Sequence, residues 1–210
     1  MPAFTQEAIS ATLDKCYQTA LNGMPKLKSC YELADEYLSK YVSQEKAIDN
    51  FAKWQIAKCT TSGFLTSLGG IVTLPVAIPA NLASVWYIQL RMVSTIAVIS
   101  GQDPSDDEVQ TLAYICLTGV SLSKICKDAG IKAGEKFAQG AINKLPIEII
   151  RKINKATVPK LITKSGATGI INLGKMVPVV GGVIGGSFDL VGTSIIAAKA
   201  KKVFLLGEID

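Results

Sequence analysis

CTTSGFLTSLGGIVTLPVAIPANLASVWYIQL, residues Cys59–Leu90, is a run of 32 residues without one charged side chain, set between Lys58 and Arg91. It is longer than the roughly 20 residues that span a bilayer. Gly69-Gly70, Pro75 and Pro79 interrupt it, however, so no continuous helix of that length fits before Arg91. The run predicts a short apolar segment, a turn between Thr73 and Pro79, and a helix with Pro79 in its first turn. A second broken apolar stretch, MVPVVGGVIGGSF (Met176–Phe188), carries Pro178, Gly181 and Gly182 and leads into an apolar helix from Asp189 to Lys199. Every other segment must cover these two stretches or help to place them at a membrane.

Upstream of the run the pattern is helical and amphipathic. Thr5 predicts the cap of a helix running to Leu21, with Ala8, Ile9, Leu13, Cys16, Tyr17 and Ala20 near 3.6 spacing and Gly23 as the stop. Pro25 reads as the opening of a second helix, whose stripe runs from Leu27 through Cys30, Leu33 and Tyr37 to Tyr41. Ser43 reads as the cap of a third, which carries Ile48, Phe51 and Trp54 towards Gly63. These amphipathic helices, residues 1–62, are expected to pack on residues 63–210 within one structural domain. The fold class expected is therefore all-α, a single domain with the two Gly/Pro-broken segments at its centre.

Downstream, the helix from Pro79 is expected to reach Ser100 and stop at Gly101. Ser105 and Glu108 have the spacing of a capping box for a helix from Asp107 to about Ser123. Asp103, Asp106, Asp107 and Glu108 could instead hold a divalent cation, but they lack the alternating spacing and central glycine of an EF-hand loop. From Lys124 to Lys164 ten basic residues face Asp128, Glu135 and Glu148, a local net charge of +7 in a chain of net charge +5. Lys132 and Lys136 share one helical face, Arg151, Lys152 and Lys155 another, and Pro146 and Pro159 read as helix starts. A solvated face is the ordinary meaning of such a run. Nucleic acid is not expected, because Phe137 is the one aromatic residue among these lysines. Attraction to an anionic membrane surface fits the neighbouring apolar segments.

Composition narrows the chemistry. Hydrophobic residues make up 49% and charged residues 19% of 210, with a mean hydropathy of +0.33, high for a soluble protein and low for a multi-span transporter. The N-terminal MPAFTQEAISATLDK lacks the basic and apolar regions of a secretory signal. Five scattered cysteines argue against a disulfide framework and for a reducing, cytoplasmic setting. There is no histidine and no CxxC pair, which removes the Ser-His and Cys-His nucleophile pairs and a zinc site. Gly169–Lys175 matches GxxxxGK, yet Met176 replaces the magnesium-binding Ser or Thr, so nucleotide binding is not expected. No catalytic residue, metal or cofactor is assigned.

The two apolar halves also lie over each other: Asn81-Leu82 stands ten residues before Arg91, and Asp189-Leu190 ten before Lys199. Either Arg91 or Asp189 at mid-bilayer would cost roughly 2.5–3.5 kcal/mol. Both are therefore expected inside protein, with Arg91 reaching water or an acidic partner.

GGIVTLPVAIPANL, QLRMVSTIAVISGQD and MVPVVGGVIGGSFDLVGTSIIAAKAKKVF together resemble the EcsC family, over roughly Gly63 to Phe204. The carriers are the Pro-x-x-x-Pro turn before an apolar helix, an Ile-Ala pair leading to Gly-x-Asp, and Pro-x-x-Gly-Gly followed by an aspartate. Ser100 stands where the family usually has Tyr, and Asn81 where an acidic residue is common. The resemblance implies an intracellular bacterial protein, whose naming member is associated with an ABC transporter operon linked to secretion and competence, and it brings no catalytic residues. The function expected is a non-enzymatic, membrane-associated accessory or regulatory protein acting on a membrane partner such as a transporter. The alternative is a carrier of lipid or another apolar ligand, with a cavity lined by the central segments. An enzyme working through carboxylates or lysine is the third. Partners are expected to be a membrane surface or membrane protein and lipid, with no nucleic acid or nucleotide. The location expected is peripheral on the cytoplasmic membrane face, integral insertion being the alternative.

Overall fold

Thr5 begins the first helix as its chemistry implies. Its hydroxyl accepts from the Ala8 N–H at 3.2 Å, and α1 (Gln6–Asn22) runs until Gly23, at φ 72°, turns the chain. A Cβ at Gly23 would lie 2.9 Å from the backbone nitrogen of Ser29, so glycine is required there twice over. The computed structural model describes residues 5–25, 27–59, 80–128, 130, 147–165 and 184–208.

The second helix, α2 (Cys30–Lys40), starts later than Pro25 predicts. Ser29 and Glu32 form a reciprocal capping box, at 3.1 and 2.8 Å, and two satisfied backbone donors fix the start there. Pro25 sits instead in a tight turn, where Met24 and Leu27 exchange backbone hydrogen bonds of 3.0 and 2.8 Å. Ser43 does cap α3 (Gln44–Cys59), accepting from the Lys46 N–H at 3.3 Å.

The apolar run delivers α4 (Ala80–Ile99), which stops before Gly101 at φ 82°. The capping box expected for α5 (Asp107–Thr118) does not form, and Asp106 is its N-cap. Asp103 takes the Ser105 N–H at 2.9 Å and the Tyr31 hydroxyl at 3.2 Å. Gly119, left-handed at φ 69°, ends α5 short of Ser123, and α6 (Leu122–Asp128) follows as a separate helix.

Next comes α7 (Ile147–Ser165), directly after Pro146, while Pro159 lies inside it rather than opening a helix. Proline has no N–H for the Lys155 carbonyl four residues back. The Gln6 side-chain amide lies 3.5 Å from that oxygen and ties α1 to α7. The last α-helix, α8 (Ile184–Lys201), starts earlier than Asp189 and passes into a π-helical turn, Lys202–Leu206, closed by Gly207 at φ 67°. The fold is all-α: among the described residues there are eight α-helices, the π-turn and no strand.

At the centre of these elements is α4, packed against α1, α2, α3, α5 and α8. A helix apolar around most of its circumference must be covered on most sides. Trp86, Tyr87, Leu90, Met92, Val93, Ile96, Ala97 and Ile99 of α4 are all buried. Burial of a side chain such as Leu90 or Ile96 contributes about 1.5–3 kcal/mol. Further out lies α7, on α1, α5 and α6. Among the described residues no helix is long and apolar enough to cross a membrane.

Candidate functional site

Arg91 is buried within the protein, 6% exposed, as its position on an apolar helix implies. Its partner is not an acid. Nε and Nη2 both donate to the Lys28 carbonyl oxygen, at 3.0 and 2.7 Å, so the planar fork closes on one acceptor just before the α2 cap. Burial pulls its pKa down, and the fields of Tyr87, Cys30 and Glu32 oppose that pull. Nearby, Cys16 donates to the Ala83 carbonyl at 3.6 Å and Tyr17 to the Pro104 carbonyl at 2.8 Å. These contacts tie α4 to α1 and to the turn before α2, and tie α1 to the loop that follows α4.

These contacts do not supply a nucleophile. Cys16, Cys30, Cys116 and Cys126 are buried. Burial pushes the Cys16, Cys30 and Cys116 thiols up to about 12. They therefore stay protonated near neutral pH, and the thiol is the unreactive form.

On α8, Lys199 plays a role like that of Arg91. Its ammonium donates to the Val120 carbonyl and, at 3.5 Å, to the Ile115 carbonyl, and so closes the C-terminal end of α5 where a cation suits the helix dipole. Asp189 falls within α8, but its side chain lies outside the described residues.

Other polar contacts escaped the sequence reading. The Tyr114 hydroxyl donates to Asp14 Oδ1 at 2.6 Å, and Gln110 Nε2 donates to that hydroxyl at 2.7 Å. Lys201 pairs with Glu45 and Asp49, at 3.0 and 2.7 Å, and so closes α8 on α3. The i,i+4 spacing of Gln110 and Tyr114 on a buried face was a usable signal. Their acceptor, far back on α1, was not.

The surface site is on α7. Its inner face buries Ile150, Ile153, Thr157, Val158 and Leu161, and this leaves Arg151, Lys152 and Lys155 exposed together on the other side. None of the three is in an ion pair among the described residues. Ile147 (42% exposed) and Glu148 belong to the same outward face. On α6, Lys124 and Lys127 are also exposed, whereas Lys160 is paired with Asp128, whose carboxyl it holds below its usual range.

Lys132 and Lys136 lie outside the described residues, as do Gly69, Gly70, Pro75, Pro79, Pro178, Gly181, Gly182 and the Gly169–Lys175 match. Among the described residues no group of Cys, Asp and Glu is placed to hold a metal ion. Two open grooves of about 570 and 490 Å³ flank Asn22, Gly23 and Met24. Lys15, Gln18 and Thr19 line the first beside Met24 and Pro25, and Lys28 and Glu32 line the second beside Met24 and Leu27.

No curated protein and no solved structure matches this chain significantly. The model of the EcsC protein family matches residues 1–206, so the match takes in the N-terminal helices as well as the broken apolar segments. The chain belongs to the EcsC protein family.

Proposed function

We propose that this protein is a non-enzymatic accessory that docks on the cytoplasmic face of a membrane and acts there on a membrane partner such as a transporter. The observation that carries this reading is the exposed face of α7, where Arg151, Lys152 and Lys155 stand together without an ion pair among the described residues. Near an anionic surface each such cation contributes about 1 kcal/mol, and the attraction fades within a Debye length. Attachment of that strength is reversible, which suits a peripheral regulator. The buried, protonated thiols support the non-enzymatic part of the reading. The carrier alternative depends on central segments that lie outside the described residues.

Cell fractionation tests the proposal. The protein should sediment with membranes and leave them in a high-salt wash. Release only by detergent, after both salt and carbonate have failed, would point to integral insertion. Recovery wholly in the soluble fraction at low salt would overturn membrane docking.

A further inference from the structure

We propose that α7 lies flat on a bilayer containing anionic phospholipid, with Ile147 as its apolar anchor and the three cations above it at the headgroups. This rests on the docking proposed above and specifies its occupant and geometry. Ile147, Arg151 and Lys155 follow i, i+4, i+8 spacing, so they climb one ridge of the helix, with Lys152 beside it. The opposite face is fixed in the core through Ile150, Ile153 and Leu161, so the helix meets a surface side-on and cannot enter end-on. Arg and Lys reach upward on long apolar stems while an aliphatic neighbour sinks, which lets Ile147 pass below the headgroups without burying charge.

Charge complementarity favours anionic lipid as the occupant. Glu148 is the one acidic side chain among the exposed residues of this α7 face. A nucleic acid would use the cations but not an exposed isoleucine, and none of the exposed α7 residues is aromatic to stack on a base.

The test is sedimentation of the full chain with vesicles of phosphatidylcholine alone, or mixed equally with phosphatidylglycerol. Binding should need phosphatidylglycerol and weaken with added salt. Replacing Arg151, Lys152 and Lys155 together with Gln should lower affinity about a hundredfold and flatten the salt dependence. Ile147→Ser should lower affinity several-fold at every salt concentration and leave the salt slope unchanged. Circular dichroism checks that each variant keeps its helices, and the positions are all exposed.

An unchanged affinity in the folded triple variant would overturn the α7 face, and an unchanged affinity in Ile147→Ser would overturn the anchor. If the protein fractionates with cell membranes but ignores phosphatidylglycerol vesicles, lipid is not the occupant, and docking on a membrane protein survives. If it does neither, the docking reading itself falls.

Discussion

A guanidinium held away from water needs its donors filled, and at Arg91 two of them share the Lys28 carbonyl. Arg91→Met would keep most of the volume and relieve the desolvation of a cation, but it would leave that carbonyl without its donors. That carbonyl is only part-buried, so water can replace some of what is lost, and we expect a loss of about 1 kcal/mol by urea denaturation. Arg91→Lys should recover only part of it, because an ammonium cannot close a fork. A gain in stability for Arg91→Met would mean that desolvation outweighs the hydrogen bonds. The thiols give a second expectation. Cys16, Cys30 and Cys116 are raised from 9.0 to about 12, so the folded state resists their ionisation while the unfolded chain does not. The stability they contribute is fully present below pH 9.0 and is lost as pH rises towards about 12. Urea midpoints should fall across that window. At pH 8 a thiol reagent should modify the four buried cysteines only on unfolding; rapid native labelling of any of them would contradict the burial. The burial of Arg91 was legible, because one charge on an apolar helix belongs inside protein. Its partner was not, because it lies 63 residues away in the chain and is a backbone atom.

Helix ends show where local sequence decides and where neighbours decide. Thr5, Ser43, Gly23 and Gly101 act where they were expected to, since a cap or a positive φ is settled within a few residues. Pro25, Ser105 and Pro159 do not, each for a competing contact. The Ser29–Glu32 box starts α2 in place of Pro25, Asp103 takes the Ser105 N–H, and Pro159 is carried inside α7 with Gln6 at the oxygen it leaves open. The turn glycines separate two costs that sequence cannot. Gly101 at φ 82° has open space around its missing Cβ, so Gly101→Ala should pay conformational strain alone, about 1–2 kcal/mol. Gly23→Ala adds a contact at 2.9 Å with rigid backbone, so its denaturation midpoint should fall clearly further. Equal losses would mean that the α1–α2 connection yields.

At the scale of the whole molecule, the all-α class and the central place of residues 80–99 were legible from one uncharged run. That the N-terminal helices pack on the rest of the chain was legible too, from their amphipathic stripes; which helix each of them meets was not, because a stripe does not name its partner. In the fold α1, α2 and α3 all pack on α4, and the family match begins at residue 1, so a boundary at 62 divides the text and not the core. Removing residues 1–62 would strip away Ile9, Leu13, Tyr17, Leu21, Leu33, Ile48 and Phe51, all members of one cluster with Tyr87, Leu90 and Ile96. At about 1.5–3 kcal/mol for each large side chain, that loss matches or exceeds the 5–15 kcal/mol by which a typical domain is stable. The Arg91 fork would lose Lys28 as well. The fragment of residues 63–210 should therefore keep helical far-UV circular dichroism, lose its near-UV signal and bind a hydrophobic dye, the signature of helices without fixed packing. A fragment that unfolds cooperatively with a sharp near-UV spectrum would show that α4–α8 close a core by themselves and that α1–α3 only shield it.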